Sequence, residues 1–277
     1  MTGARRVPLA AHAWRALVAI ATREVVRFLR QTGRLASAVV RPTLWLVVFS
    51  AGFQNVLGVS ITPPYENYVT YDVYMAPGLI GMVLLFQGMQ SSLALVFDRE
   101  VGTLRLLLTA PLPRWWLLLC KLLAGTLLGV VQVYAFLGVA RLFDVDLPPW
   151  GWLTALPALA LGGFTLAAIG LLLSVYVKRL ENFAGTMNFV IFPAFFFSTA
   201  LYPLWKVREG GSDWIALAAR INPFTHVVEM IRFALYGRLE PASTGLTLLF
   251  GLAAFGLAVR GYDPQRGVLG RAPRGEA

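Results

Sequence analysis

The residues with the strongest chemical character head one polar stretch, Asp98-Arg-Glu-Val-Gly-Thr-Leu-Arg-Leu-Leu-Leu-Thr-Ala-Pro-Leu-Pro-Arg114. Its opening charges Asp98, Arg99 and Glu100, followed by Gly102, Thr103 and Leu104, suit ion pairing and docking to another surface rather than bond making. Val101, Leu104, Leu107 and Leu108 fall on one helical face, the charges at 98, 99, 100 and 105 on another, and Pro111 and Pro113 end the helix. The segment reads as a short amphipathic helix between apolar blocks; the alternative is a solvated connection. Covalent chemistry has no comparable foothold. Cys120 lies in an apolar block, and the two histidines, His12 and His226, are far from it in sequence, so neither a disulfide framework nor a metal-ligand cluster is expected. A Gly-x-Ser-x-Gly elbow and a Gly-x-x-x-x-Gly-Lys-Ser/Thr phosphate loop are both missing from the sequence. Any ATP-driven work therefore falls to another polypeptide that binds the ATP, and no cofactor is expected on this chain.

The elements that must hold this segment are apolar. With 57% hydrophobic and 14% charged residues and a mean hydropathy of +0.67, the 277-residue chain is an integral membrane protein, since soluble domains carry about a quarter charged residues. A helix needs about 20 residues to cross about 30 Å of hydrocarbon. Six blocks meet that length, approximately Leu35 to Leu57, Tyr74 to Phe97, Trp116 to Leu142, Trp152 to Val177, Phe183 to Leu204 and Ala242 to Val259. The expected fold is thus all-α with six transmembrane helices in 35–260, a basic tail over 261–277 and a basic segment over 1–34.

The net charge of +10 lies in short segments beside apolar blocks, which marks a cytoplasmic membrane face and not nucleic-acid binding. Fifteen Lys and Arg flank the spans on one side, in 1–34, 98–115, 178–182 and 261–277, against five on the other, all in 205–241. Both termini are therefore expected in the cytoplasm, with Trp150, Trp152, Tyr202 and Trp205 near the outer interface. Trp14-Arg15 interrupts any signal-peptide core, and Arg5-Arg6 reads as an ordinary basic terminus. From Leu9 to Leu29, arginines alternate with an apolar face of Leu17, Val18, Ile20, Ala21, Val25 and Phe28, as in an amphipathic helix lying on the inner leaflet. In the outer loop 205–241, Asn222-Pro223 is a helix start and Gly237 a stop. The intervening 14 or so residues reach only about 21 Å, too short to span.

All fourteen acids fall in loops or at span ends, which counts against ion-coupled transport. Lys121 and Arg41, each inside an apolar block, are expected to snorkel to the inner headgroups. Gly125 and Gly129 allow close helix contact, within the subunit in preference to across a dimer. Phe189, Phe192, Phe195, Phe196 and Phe197 form a dense aromatic cluster with Asn188 nearby. Packing explains such a cluster; the sharper alternative is that Asn188, Phe192, Phe195 and Phe196 line a greasy path for an amphiphile where the first and fifth spans of two subunits meet.

Asp98 to Arg114, then Phe192-Pro-Ala-Phe-Phe-Phe-Ser-Thr-Ala-Leu-Tyr-Pro203, then Ile221-Asn-Pro-Phe-Thr-His-Val-Val-Glu-Met-Ile-Arg232 together resemble the ABC transporter type-2 permeases, small export subunits related to nodulation-factor and drug-efflux permeases. The resemblance covers nearly the whole chain. It implies an interfacial N-terminal helix, six spans, a cytoplasmic coupling helix after the second span and outer-leaflet re-entrant helices before the sixth. It further implies a permease dimer in the cytoplasmic (inner) membrane, joined to two separately encoded ATP-binding subunits that drive export. By the same resemblance, ATPase coupling falls on Asp98, Arg99, Glu100, Gly102, Thr103 and Leu104, and the re-entrant element on Asn222, Pro223, Glu229 and Arg232. Thr199 stands where the family commonly has glycine, which bears on the bend in span five. Lipidic, glycolipid, saccharide or drug-like cargo fits spans so poor in charge. A non-transporting membrane scaffold and a membrane enzyme are the competing classes.

Overall fold

The computed structural model describes residues 9–30, 32–53, 63–66, 69–102, 113–177 and 179–262. Eleven helices and no strand occur among them: α1 (Leu9–Arg30), α2 (Thr32–Phe53), α3 (Tyr71–Glu100), α4 (Arg114–Leu142), α5 (Gly151–Thr154), α6 (Leu156–Tyr176), α7 (Leu180–Phe196), α8 (Leu204–Glu209), α9 (Asp213–Ile221), α10 (Pro223–Leu235) and α11 (Pro241–Gly261). The protein is an all-α membrane protein. Among the described residues, four stretches are long and apolar enough to cross a bilayer, Tyr71–Glu100, Arg114–Leu142, Gly151–Tyr176 and Pro241–Gly261. α2 contributes a shorter apolar stretch, Ala36–Gly52, and α7 has 17 residues.

α3 is the centre. It packs most heavily against α6, and also against α4, α2, α7 and α10, while α6 in turn carries α11. Small residues set these approaches. A Cβ on Gly88 would come 2.8 Å from the Ala167 backbone nitrogen, and one on Gly125 would come 2.7 Å from Ser91 Oγ. The Gly125–Gly129 pair therefore serves contact between α4 and α3 within one subunit, as its spacing suggested. The main core gathers Tyr74, Met75, Leu79, Ile80, Phe136, Leu159, Phe195, Phe224 and Ile231. A second cluster near the α3 C-terminus joins Leu95, Leu118, Leu122, Ala167, Ala168, Leu171 and Ala258. α11 leaves Leu246, Leu248, Leu249, Leu252 and Leu257 exposed, the surface expected of a helix whose solvent is lipid.

Several boundaries differ from the sequence expectation. Asp98, Arg99 and Glu100 do not begin a separate helix; they form the last turn of α3, because nothing between Phe97 and Glu100 breaks the ladder. The break comes at Gly102, whose φ of 81° only glycine adopts without strain. Thr103, Leu104 and the rest of the predicted coupling helix lie outside the described residues. The fifth apolar block stops early. α7 ends at Phe196, and the chain turns through Ser198 to Tyr202. The turn is held from outside, since the carbonyls of Thr199 and Leu201 are claimed by side chains of other elements.

Candidate functional site

At the C-terminal end of α3, three consecutive residues fasten to different neighbours. Asp98 accepts from Lys121 Nζ of α4 at 2.5 Å, from Arg23 of α1 at 3.2 Å, and from Arg27 of α1 at 3.5 Å. Arg99 donates to the Ser174 carbonyl near the end of α6 at 2.7 Å. Glu100 accepts the Leu180 backbone N–H at the start of α7 at 2.8 Å, where a carboxylate also suits the helix dipole. Thus α1, α4, α6 and α7 are all tied to the last turn of one helix. Lys121 does not snorkel: it is buried, and its ammonium is spent on Asp98. A buried carboxylate is tolerable only when paired and hydrogen-bonded, and the three cations meet that need. α1 is further fixed by Trp116 Nε1 donating to the Ala13 carbonyl at 3.1 Å.

At the opposite end, Asn222 and Arg232 bind the turn after α7. Asn222 caps α10 by accepting the Phe224 N–H at 3.0 Å, with Pro223 at the first helical position. Its amide nitrogen donates to the carbonyls of Ala194 and Phe197, each at 2.7 Å. Arg232 is buried, donates to the Thr199 carbonyl at 2.8 Å, pairs with Glu229 at 2.5 Å, and lies 4.2 Å over the Tyr74 ring. Burial opposes its charge, but Glu229 outweighs that and holds the guanidinium firmly protonated. Burial pushes the Tyr65 phenol up in spite of Arg232 nearby. The Tyr74 hydroxyl donates to the same Thr199 carbonyl at 3.2 Å. So Thr199 presents its backbone carbonyl as the knot of this corner.

Between the two ends, the aromatic cluster divides. Phe195 is 0% exposed and packs on Trp45 and Phe224, whereas Phe192 is 41% and Phe189 80% exposed. Asn188 and Phe196 lie on the same open side of α7 as Phe189 and Phe192. α2 has a matching bare face of Val40, Leu44, Val47 and Val48. Trp45 joins the two faces, meeting Phe196 at 5.9 Å between ring centres. Of the four path residues read from sequence, the structure brings Asn188, Phe192 and Phe196 to the open face and puts Phe195 in the core.

Behind α2 is a cluster of polar side chains that the sequence reading passed over. Ser37, Arg41, Gln87, Gln90 and Gln132 line a cleft between α2, α3 and α4, and Gln132 donates to Gln87 at 2.8 Å. Arg41 does not reach for headgroups either; its guanidinium carbon sits 3.9 Å from the centre of the Phe86 ring. Phe86 is midway along α3. An arginine at the centre of a span costs about 2.5–3.5 kcal/mol on insertion scales, so its retention asks for a reason.

Residues 15–236 match the ABC-2 type transporter family. The chain belongs to that family. It is 30% identical over 224 residues to the putative transport permease ycf38 of Cyanophora paradoxa, covering 78% of this chain and 73% of that one. It is 26% identical over 244 residues to the daunorubicin resistance ABC transporter permease protein DrrB1 of Streptomyces coeruleorubidus, covering 86% and 78%. With the inner membrane transport permease YadH of Escherichia coli K12 it shares 25% identity over 232 residues, covering 81% and 84%. The chain is accordingly a membrane-embedded permease subunit of a transporter. ABC-2 permeases generally work with a separate ATP-binding subunit, and this permease has no phosphate loop in its sequence.

Proposed function

We propose that the chain is the permease of an ATP-driven exporter in the cytoplasmic (inner) membrane, with six spans, both termini cytoplasmic, working as a homodimer with a separately encoded ATPase. The observation that carries the reading is the tethering of Asp98, Arg99 and Glu100 to α1, α4, α6 and α7. The segment that follows Gly102, including Thr103 and Leu104, is the part that docks on the ATPase. A push delivered there reaches four helices through three adjacent residues, with no flexible linker on the described side of Gly102. α2 and α7 are the fifth and sixth spans beside the four longer ones. Their bare faces meet those of the second subunit, and Asn188, Phe192 and Phe196 border the path. The name of YadH supports the inner membrane, and that of DrrB1 supports a drug-like amphiphile as one cargo class beside lipids and lipid-linked saccharides.

The test is extraction of the tagged chain in mild detergent and quantitative mass spectrometry of what accompanies it. A phosphate-loop ATPase at equal stoichiometry is expected, lost in Leu104→Arg while the permease remains in the membrane. Recovery of no ATPase from several mild detergents would leave a membrane scaffold as the better reading.

A further inference from the structure

Arg41 is the sole charge in the apolar stretch Ala36–Gly52 of α2. Its depth follows from its neighbour: Phe86 lies midway along α3, a helix long enough to span. No Asp or Glu among the described residues pairs with it. The acids of α3 lie at its two ends, Asp72, Asp98 and Glu100; α4 has none, and α7 has only Glu181 in its first turn. A cation at this depth without a carboxylate marks a place where an anion is met.

The Arg41 guanidinium carbon sits 3.9 Å from the centre of the Phe86 ring, and an arginine's N–H fork can bind carboxylate or phosphate in bidentate fashion. The cleft that Arg41 lines with Gln87, Gln90 and Gln132 holds about 10 Å³, roughly the room of one water. No headgroup enters there. The other side is different. Arg41 is half-exposed and flanked by exposed Val40, Leu44 and Val48 on the bare face of α2, with Trp45 leading on to the open face of α7. A ligand meeting the fork from this side lays its apolar part on those side chains.

We infer that Arg41, held beside Phe86, is the anion-recognition point for an amphiphile whose phosphate or carboxylate meets the guanidinium while its tail lies along α2 and α7. Calling that amphiphile the cargo rests on the export reading above, but binding itself needs no ATPase. The experiment therefore uses the purified chain alone, by native mass spectrometry in dodecyl maltoside, titrated with dodecyl phosphate. Dodecyltrimethylammonium serves as the opposite-charge control. The expected result is one dodecyl phosphate retained per chain, at least tenfold weaker in Arg41→Gln, with dodecyltrimethylammonium unaffected by the change. Wild-type affinity in Arg41→Gln overturns the site. Removing a charge from a span favours insertion, but if that variant is not monodisperse, Arg41→Lys decides. It keeps the charge without the fork, and threefold or greater weakening is expected, whereas unchanged affinity refutes the inference. Competition by phosphatidylglycerol separates two sources of the same chemistry. Displacement at equal concentration makes a bilayer phospholipid the occupant of the Arg41 site, and lack of displacement makes it a diffusible amphiphile. Failure of dodecyl phosphate to bind leaves the export reading intact, and failure of ATPase co-purification leaves this binding result intact.

Discussion

Lys121 of α4 donates to Asp98 of α3 at 2.5 Å, and the same carboxylate also meets Arg23 and Arg27 of α1. One acid thus gathers three cations in a buried setting. Asp98→Asn leaves Lys121 and Arg27 without their countercharge, while Arg23 keeps Glu24, and breaking a buried pair from one side costs about 3–5 kcal/mol. Lys121→Met leaves Asp98 with both arginines and should cost less. Thermal unfolding in detergent is expected to rank wild type above Lys121→Met above Asp98→Asn; the reverse order of the two variants would disprove the central place of Asp98.

Two glycines provide a matched pair. Gly88 faces the Ala167 backbone at a separation that a methyl group violates, whereas a Cβ on Gly138 meets nothing within 4 Å. Gly88→Ala should lower stability by about 1–3 kcal/mol through forced separation of α3 and α6. Gly138→Ala should be neutral or stabilising by up to about 1 kcal/mol through helix propensity. Equal melting temperatures for the two variants would mean that α3 and α6 do not pack this closely.

Asn222 does two jobs that substitution can separate. Asn222→Asp keeps an oxygen for the Phe224 N–H but loses the donor to Ala194 and Phe197; Asn222→Ala loses both. Loss of the cap costs about 1 kcal/mol. Hydrogen exchange should rise at 197–203 in both variants, and at the first turn of α10 only in Asn222→Ala. Exchange confined to α10 in both would show that the amide does not hold the α7 turn.

Phe195 and Phe192 are neighbours in sequence with opposite surroundings. Phe195→Ala empties a core site and should cost about 3–5 kcal/mol, seen as reduced protein level. Phe192→Ala should leave level and melting temperature close to wild type while reducing transport per molecule. Unaltered transport per molecule would remove the α7 face from the path.

The sequence carried α10 well. Asn222-Pro223 and Gly237 predicted its ends, and α10 runs Pro223–Leu235 with Gly237 at φ 66°, because capping and left-handed turns are local chemistry. α1 was equally legible, from its basic and apolar alternation. The failures share a cause, which is a polar group whose partner comes from a distant helix. Lys121 and Arg41 read as snorkelling cations because nothing near them in sequence reveals Asp98 or Phe86. The end of α7 was missed because Tyr71, Tyr74, Asn222 and Arg232 of other elements hold its turn, adding to the local bonds that Ser198 makes with Phe195 and Ala200. Gln87, Gln90 and Gln132 were visible as amides inside apolar blocks, and that signal alone would have pointed to the cleft.

α3 is buried along nearly its whole length and touches most of the other long helices. A side chain cannot reorient in such surroundings without dragging its neighbours, so the helix behaves as a stiff rod of 30 residues, about 45 Å from end to end. Its lower tip carries Asp98 and its upper tip carries Tyr74, which shares the Thr199 carbonyl with Arg232. Asp98 and the Thr199 corner therefore belong to one continuous helix, so a displacement at either end is shared with the helices packed along it rather than absorbed in a loop.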